Sequence, residues 1–219
     1  KWLENISFLG RIISLPFPPF TPPDTVNMIK SLTTTTSDIQ QLSEEIIPTQ
    51  SEVMVTNIIP SVLSRTILSQ GLQNDSKLVK FQTVIVLLII FQKLEQALRS
   101  CKERIQSSAQ KQEWKQYFDL LLHDVRKRLP DIQVMIALHQ QISSEFITEL
   151  NGGNDSSTEL LYERTLCLLK YYHQSFPGIL SGANFDILKL INNDFNQLPL
   201  AIQSHIIALL SNPNLKWTN

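Results

Sequence analysis

Residues 58–94 read IIPSVLSRTILSQGLQNDSKLVKFQTVIVLLIIFQKL, and this stretch decides the fold. It predicts two helices joined by a tight polar turn, with the first helix running to about Gln70. Gly71 lies near the expected end of that helix, where a residue with positive φ is easily accommodated. The start of the second helix offers side-chain oxygens for its free amide groups, on Asn74, Asp75 and Ser76.

The second helix is too apolar to lie on a surface. Its segment Val84–Phe91 reads VIVLLIIF and is apolar around the whole circumference. A helix without a polar face needs neighbours on every side. A helical hairpin with such a buried inner member is the unit of a HEAT or armadillo array. We therefore predict an all-α fold, an irregular HEAT/armadillo-like α-solenoid of antiparallel helical hairpins.

Helical spacing of apolar residues continues along the rest of the chain, and no stretch gives a strong strand signal. Pro130 and the pair Pro177-Gly178 mark expected helix ends, and Asn151–Asn154 marks a break. The pattern predicts seven or eight helices. Besides the first helix of the opening hairpin, they cover Trp2–Leu15, Ser76–Gln106, Trp114–Leu129, Asp131–Leu150, Thr158–Gln174, Phe185–Ile191 and Leu198–Leu210.

The 219 residues are predicted to form one solenoid segment. Because the chain opens on Lys1-Trp2 without Met, we expect it to be excised from a longer protein. Residues 16–51 are rich in Pro and Thr, and we predict a largely irregular insertion there, with a short helical turn near Ile39–Ile47. No apolar run approaches the roughly 18–20 residues that cross a bilayer, so no membrane span is expected. Cys101 and Cys167 are expected to be free thiols in an intracellular, reducing compartment.

Catalytic and metal-binding patterns are not found in the sequence. His123-Asp124 is an adjacent pair, and adjacent residues on a helix point about 100° apart. The other histidines occur singly, at His139, His173 and His205. The chain has no His-Glu-x-x-His, Cys-x-x-Cys or nucleophile-elbow motif. We therefore predict a protein that is not an enzyme, with no cofactor, no metal and no small-molecule substrate.

Charge is distributed unevenly. Between Lys77 and Arg128 lie eleven basic and five acidic residues, a net charge of +6 in a chain whose overall charge is −1. Such asymmetry can create a positive surface that attracts phosphate groups. The alternative is that long helices carry their charges on the solvated face, paired with nearby acids. The candidate RNA-facing residues are Lys102, Arg104, Lys111, Lys115, Arg126, Lys127 and Arg128.

Two segments carry a resemblance to a known family. Lys1–Pro16 reads KWLENISFLGRIISLP, and Asn57–Leu94 holds the blocks IIPSVLSRTILSQGLQ and SKLVKFQTVIVLLIIFQKL. Together with the Pro-rich interval, these blocks resemble the N-terminal region of the nucleolar pre-ribosomal-associated protein one family, over roughly the first hundred residues. The resemblance implies a large helical solenoid in the nucleolus that assists early assembly of the large ribosomal subunit, and it supplies no catalytic residues.

Two functions of different classes follow. In the first, the chain is part of a scaffold that contacts the sugar-phosphate backbone of pre-ribosomal RNA. This scaffold works beside other assembly factors and small nucleolar ribonucleoproteins. In the second, it is a protein-only adaptor that binds peptides or partner helices in transport or signalling. Aromatic residues for base stacking are not evident, because Trp114, Tyr117 and Phe118 fit a core stripe.

Overall fold

A computed structural model describes residues 2–16, 51–107, 110–150, 156–183, 185, 190–191 and 195–211. These ranges are helical and contain no strand, which confirms the all-α prediction for them. A four-residue helix, α8 (Ile179–Gly182), and a 3-10 turn at Phe195–Gln197 accompany eight longer helices. The longer helices are α1 (Trp2–Ile13), α2 (Ser51–Ile58), α3 (Arg65–Leu72), α4 (Lys77–Ser107), α5 (Lys111–Arg128), α6 (Ile132–Leu150), α7 (Ser156–Ser175) and α9 (Leu200–Leu210).

Helix α4 is the centre of the fold, as its sequence predicts. It contacts α1, α2, α3, α5 and α7, so neighbours surround most of its circumference. Within the apolar segment Val84–Phe91, six side chains are buried and only Ile85 and Ile89 are partly exposed. Burial of these side chains removes a large apolar area from water, at about 25 cal/mol per Å². The packing of α4 therefore supplies much of the stability of this part of the chain.

The helices form two rows. In the first row α1, α4, α7 and α9 follow one another, and each contacts the next. In the second row α2 contacts α5, and α3 contacts α6. Helix α5 runs back along α4, because Lys102 near the end of α4 lies over Phe118 of α5. Helix α6 continues in that direction, and its end reaches the start of α4, where Lys77 binds Glu149.

Helices α4 and α7 run in the same direction. At their starts, Lys77 donates a hydrogen bond to the hydroxyl of Thr158. Fourteen residues further along each helix, the rings of Phe91 and Tyr172 pack with their centroids 4.7 Å apart. The broken helix α5–α6 thus lies between two parallel neighbours in the chain, and it is antiparallel to both.

The start of the opening hairpin differs from the prediction. The chain forms α2, which the sequence pattern did not predict, and α3 begins only at Arg65. Between them lies Pro60, which lacks the backbone N–H that a continuing helix would use. Ser64 then caps α3, because its hydroxyl accepts a hydrogen bond from the N–H of Ile67 at 3.2 Å. The turn before α4 is built as predicted around Asn74, whose side-chain oxygen accepts from the N–H of Ser76 at 3.0 Å.

Gly71 has a different role from the predicted one. It lies inside α3, is buried, and does not have a positive φ; among the described glycines only Gly178, with φ 81°, does. A Cβ atom at Gly71 would collide with the hydroxyl of Thr83 on α4 and lie 3.0 Å from its methyl carbon. Glycine is required here because the two helices approach closely. Gly178 instead lies where α7 was expected to stop, near Pro177.

Several predicted features lie partly or wholly outside the described residues. These are the insertion at 16–51, except for its two end residues, the break at Asn151–Asn154, and most of the short helix at Phe185–Ile191. None of the helices that the structure describes combines the length and apolarity needed to cross a bilayer. Both cysteines are free: Cys101 is buried, which raises the pKa of its thiol to about 11, and Cys167 is half-buried.

Candidate nucleic-acid interface

The rotation of α5 determines where its basic residues point. Its apolar stripe Trp114, Tyr117, Leu121 and Val125 is buried, with the three- and four-residue spacing of one helix face. The basic residues at the end of the helix lie outside this stripe. The C-terminal set Arg126–Arg128, which we name the junction group, therefore has two exposed members and a half-buried one, Arg128.

The junction group stands where α5 gives way to α6. Leu129 is extended, at φ −78° and ψ 153°, as expected for a residue that precedes proline. Asp131 opens α6 by accepting a hydrogen bond from the N–H of Gln133 at 3.1 Å. The carbonyl of Pro130 accepts a buried hydrogen bond from the hydroxyl of Tyr172 at 3.1 Å, which ties the junction to α7.

Loss of this buried hydrogen bond should loosen the junction. We expect Tyr172→Phe to lower the free energy of unfolding by about 1–3 kcal/mol, because the Pro130 carbonyl is left without its donor. Tyr117→Phe is the matched control, since the buried hydroxyl of Tyr117 has no hydrogen-bond partner among the described residues. The control should be neutral or stabilising in urea unfolding. Equal effects of the two changes would contradict the proposed role of Tyr172.

A cleft of about 300 Å³ opens beside the junction. Arg65 enters it from α3, and its guanidinium lies 3.0 Å from a carboxylate oxygen of Asp131. His123, Arg126 and Lys127 enter it from α5. The remaining lining residues are Leu129, Pro130, Asp131, Ile132, Tyr172 and Ile179. Two further clefts, each of about 330 Å³, adjoin the same helix end, so the junction group lies among concave surfaces.

The three members of the junction group have different local contacts. Arg126 lies over the ring of Phe176, 5.9 Å from its centroid. Lys127 lies 3.6 Å from a carboxylate oxygen of Asp124, and its side chain is 63% exposed. Arg128 donates a hydrogen bond to the carbonyl of Ile59 at 3.3 Å and so holds the end of α2. Arg126 and Lys127 are therefore the exposed members of the group, whereas Arg128 is held by its hydrogen bond to the backbone at the end of α2.

The other four candidate residues form a second group, which we name the hairpin group: Lys102, Arg104, Lys111 and Lys115. They lie at the end of α4 and the start of α5. From Lys115 to Arg126 the axial distance along α5 is about 16 Å, at 1.5 Å per residue. The eleven-residue spacing returns to nearly the same face of the helix. The structure thus divides the seven predicted residues into two groups at opposite ends of α5, with Lys102 and Arg104 of the hairpin group on α4.

Two basic residues of the positive segment do not contribute to any surface. Lys80 is 4% exposed and Lys93 is 8% exposed, and burial lowers the pKa of Lys93. Conversely, Arg65 and His123 line the cleft although the sequence pattern did not identify them as candidate residues. Arg65 precedes the positive segment, and its partner Asp131 is 66 residues away, so local spacing gives no signal for it.

The histidines are dispersed in the structure. His139 and His173 are buried, and their ring nitrogens have no hydrogen-bond partner among the described residues. His205 lies 3.4 Å from a carboxylate oxygen of Glu163 and helps to join α9 to α7. Within the described ranges, no three His, Cys, Asp or Glu side chains are grouped so that they could hold a metal ion.

The chain matches no protein-family model, no curated protein and no solved structure. The arrangement of its own side chains is therefore the basis on which a function can be argued. Within the described residues, Arg65, Arg126 and Lys127 place accessible positive charge beside a concave surface at the α5–α6 junction.

Proposed function

We propose that the chain is a non-catalytic helical scaffold segment that contacts pre-ribosomal RNA and other assembly factors during early assembly of the large ribosomal subunit. The observation that carries this proposal is the gathering of Arg126, Lys127 and Arg65 around the cleft at the α5–α6 junction. The resemblance of the first hundred residues to a nucleolar family supplies the choice of RNA, and with it a nuclear and nucleolar location.

We also propose that this segment belongs to a HEAT- or armadillo-like solenoid. Two features support the proposal: the two rows of helices, and the parallel pair α4 and α7 separated in the chain by α5–α6. If α2–α3 and α5–α6 are each counted as one helix, broken at Pro60 and at Pro130, the helices from α1 to α7 alternate between the two rows, as in stacked hairpins. A scaffold of this kind presents one continuous face to a long partner.

Contact with RNA would be electrostatic and weakly sequence-selective. Lysine and arginine side chains that neutralise phosphates release counterions, which makes binding fall as salt concentration rises. Lys115 of the hairpin group and Arg126 of the junction group lie about 16 Å apart along the axis of α5, so one folded RNA can span both groups. The aromatic residues Trp114 and Tyr117 are buried, so they do not offer rings for base stacking. Phosphate contacts position a partner but do not specify its sequence.

Removal of charge at the junction should weaken RNA binding without unfolding the protein. We expect the double change Arg126→Gln and Lys127→Gln to lower affinity for structured RNA and to reduce the slope of log K against log salt by about two. Arg128 is left in place because it supports Ile59. The control is the double change Arg11→Gln and Arg99→Gln, which removes the same charge from exposed positions on α1 and α4.

Filter-binding titrations over a series of salt concentrations, with circular dichroism to verify folding, measure these effects. If both double variants weaken RNA binding equally, the RNA is attracted by the net charge of the protein, and the junction is not an RNA contact. If neither changes affinity or slope, the protein-only adaptor is the better function. In that case, crosslinking of the full-length protein should recover no enrichment of large-subunit precursor RNA.

A further inference from the structure

The described residues that line the cleft at the α5–α6 junction include two arginines and one lysine but a single carboxylate. Both carboxylate oxygens of Asp131 are engaged, one by the N–H of Gln133 and the other by the guanidinium of Arg65. Asp131 therefore holds Arg65 in position at the cleft wall. Arg126 and Lys127 of α5 add two further positive charges, and Asp131 is the one acidic side chain among the described residues that line this cleft.

Arg126 combines exposure to solvent with a contact to an aromatic ring. Its guanidinium lies over the ring of Phe176, at 5.9 Å from the centroid. A guanidinium that packs on an aromatic face keeps its N–H donors directed outward in its own plane. Those donors match two oxygens of a phosphate group in a bidentate arrangement, which an ammonium group cannot reproduce.

The floor of the cleft determines the size and shape of what can enter. Leu129 and Tyr172 are each 1% exposed, and the Tyr172 hydroxyl is already bonded to the carbonyl of Pro130. No aromatic face is open to a planar base here. The cleft volume of about 300 Å³ nevertheless accommodates a compact anion with its bound water. The walls are charged and the floor is closed, which suits a phosphate group better than a nucleobase or an apolar side chain.

We propose that this cleft holds one phosphoryl group between Arg65 and Arg126, with Lys127 as an auxiliary charge, and that the group comes from the backbone of RNA. The proposal rests on the proposed function and deepens it, because it assigns one phosphate of the bound RNA to one site. Arg65, which lies outside the positive segment of the sequence, is on this basis a ligand-binding residue.

Titration with inorganic phosphate tests the site by itself. The side-chain Nε–H signals of Arg65 and Arg126 should shift with phosphate at constant ionic strength in heteronuclear NMR spectra of the full chain. Arg126→Gln and Arg65→Gln should each weaken phosphate binding about tenfold, as expected for loss of a charge-assisted donor pair. Arg126→Lys should not restore it. The control Lys115→Gln removes the same charge about 16 Å away and should leave binding unchanged.

Titration with structured RNA separates the two proposals. If the phosphate site is used by RNA, Arg65→Gln should reduce RNA affinity and the salt slope by about one, and inorganic phosphate should compete. If RNA binds but phosphate shifts neither arginine signal, this inference is overturned while the RNA-binding function stands. If phosphate binds and RNA does not, the RNA source is wrong, and the cleft takes free phosphate or a small phosphate ester.

Discussion

The change Leu88→Asp should unfold the chain or reduce it to a loosely packed state. Leu88 is 6% exposed at the centre of α4, between the neighbours that surround this helix. An aspartate there has no cationic partner and cannot be hydrated, which costs several kcal/mol or more. A domain of this size is stable by about 5–15 kcal/mol, so the loss is a large part of the total. Circular dichroism during urea titration should show loss of the cooperative transition.

Two companion variants make this test selective. Leu78 lies in the first turn of the same helix and is 58% exposed. The Leu78→Asp variant should therefore fold with nearly wild-type stability. Leu88→Ala should remain folded but lose about 2–5 kcal/mol, as for other truncations in packed cores. A Leu88→Asp protein with the same urea midpoint as Leu78→Asp would show that α4 is not internal.

Acid should destabilise the fold through His139. Its imidazole is buried against the rings of Tyr162 and Phe185, and burial lowers its pKa to about 4. The unfolded chain takes up a proton at this residue as the pH falls below about 6.5, whereas the folded chain does so only near pH 4. The free energy of unfolding therefore falls through this window, by about 3 kcal/mol at its lower end. Above the window the imidazole is neutral in both states and has no effect.

The comparison that isolates this effect is His139→Phe, which keeps an aromatic ring between the same two neighbours. Urea unfolding at pH 7 and at pH 4.5 gives the loss of unfolding free energy on acidification for each protein. The two losses are then compared. We expect the variant to lose distinctly less stability on acidification than the wild type, although burial also lowers the pKa of His173 in both proteins. Parallel pH profiles would mean that His139 is hydrated or protonated in the folded state.

Periodicity predicted the long helices well because it reports which face is buried. The second helix of the opening hairpin was predicted over Ser76–Gln106 and is observed over Lys77–Ser107. The stripe from Trp114 to Val125 is likewise buried as predicted. In both segments, the apolar pattern is long, and in the second it ends before Pro130, which stops a helix for local reasons.

Features that depend on a partner helix could not be predicted from the pattern. Gly71 has the position of a helix end in the sequence, but its role is set by Thr83 on the facing helix. Arg65 has no basic neighbours in the sequence, yet it lines the same cleft as Arg126. Spacing along one helix reveals the direction of a side chain and not the residue that it meets. The two groups of basic residues at the ends of α5 were predicted as one set for the same reason.

Lys77 also has a consequence for the order in which the chain folds. Its ammonium group binds Glu149 and Thr158, which follow it by 72 and 81 residues. The hairpin α3–α4 can form from local contacts soon after synthesis, whereas these two contacts must wait until α6 and the start of α7 have been made. Closure of such long loops is entropically costly and slow. The first turn of the central helix should thus be among the last parts of the molecule to become fixed, although it is made early.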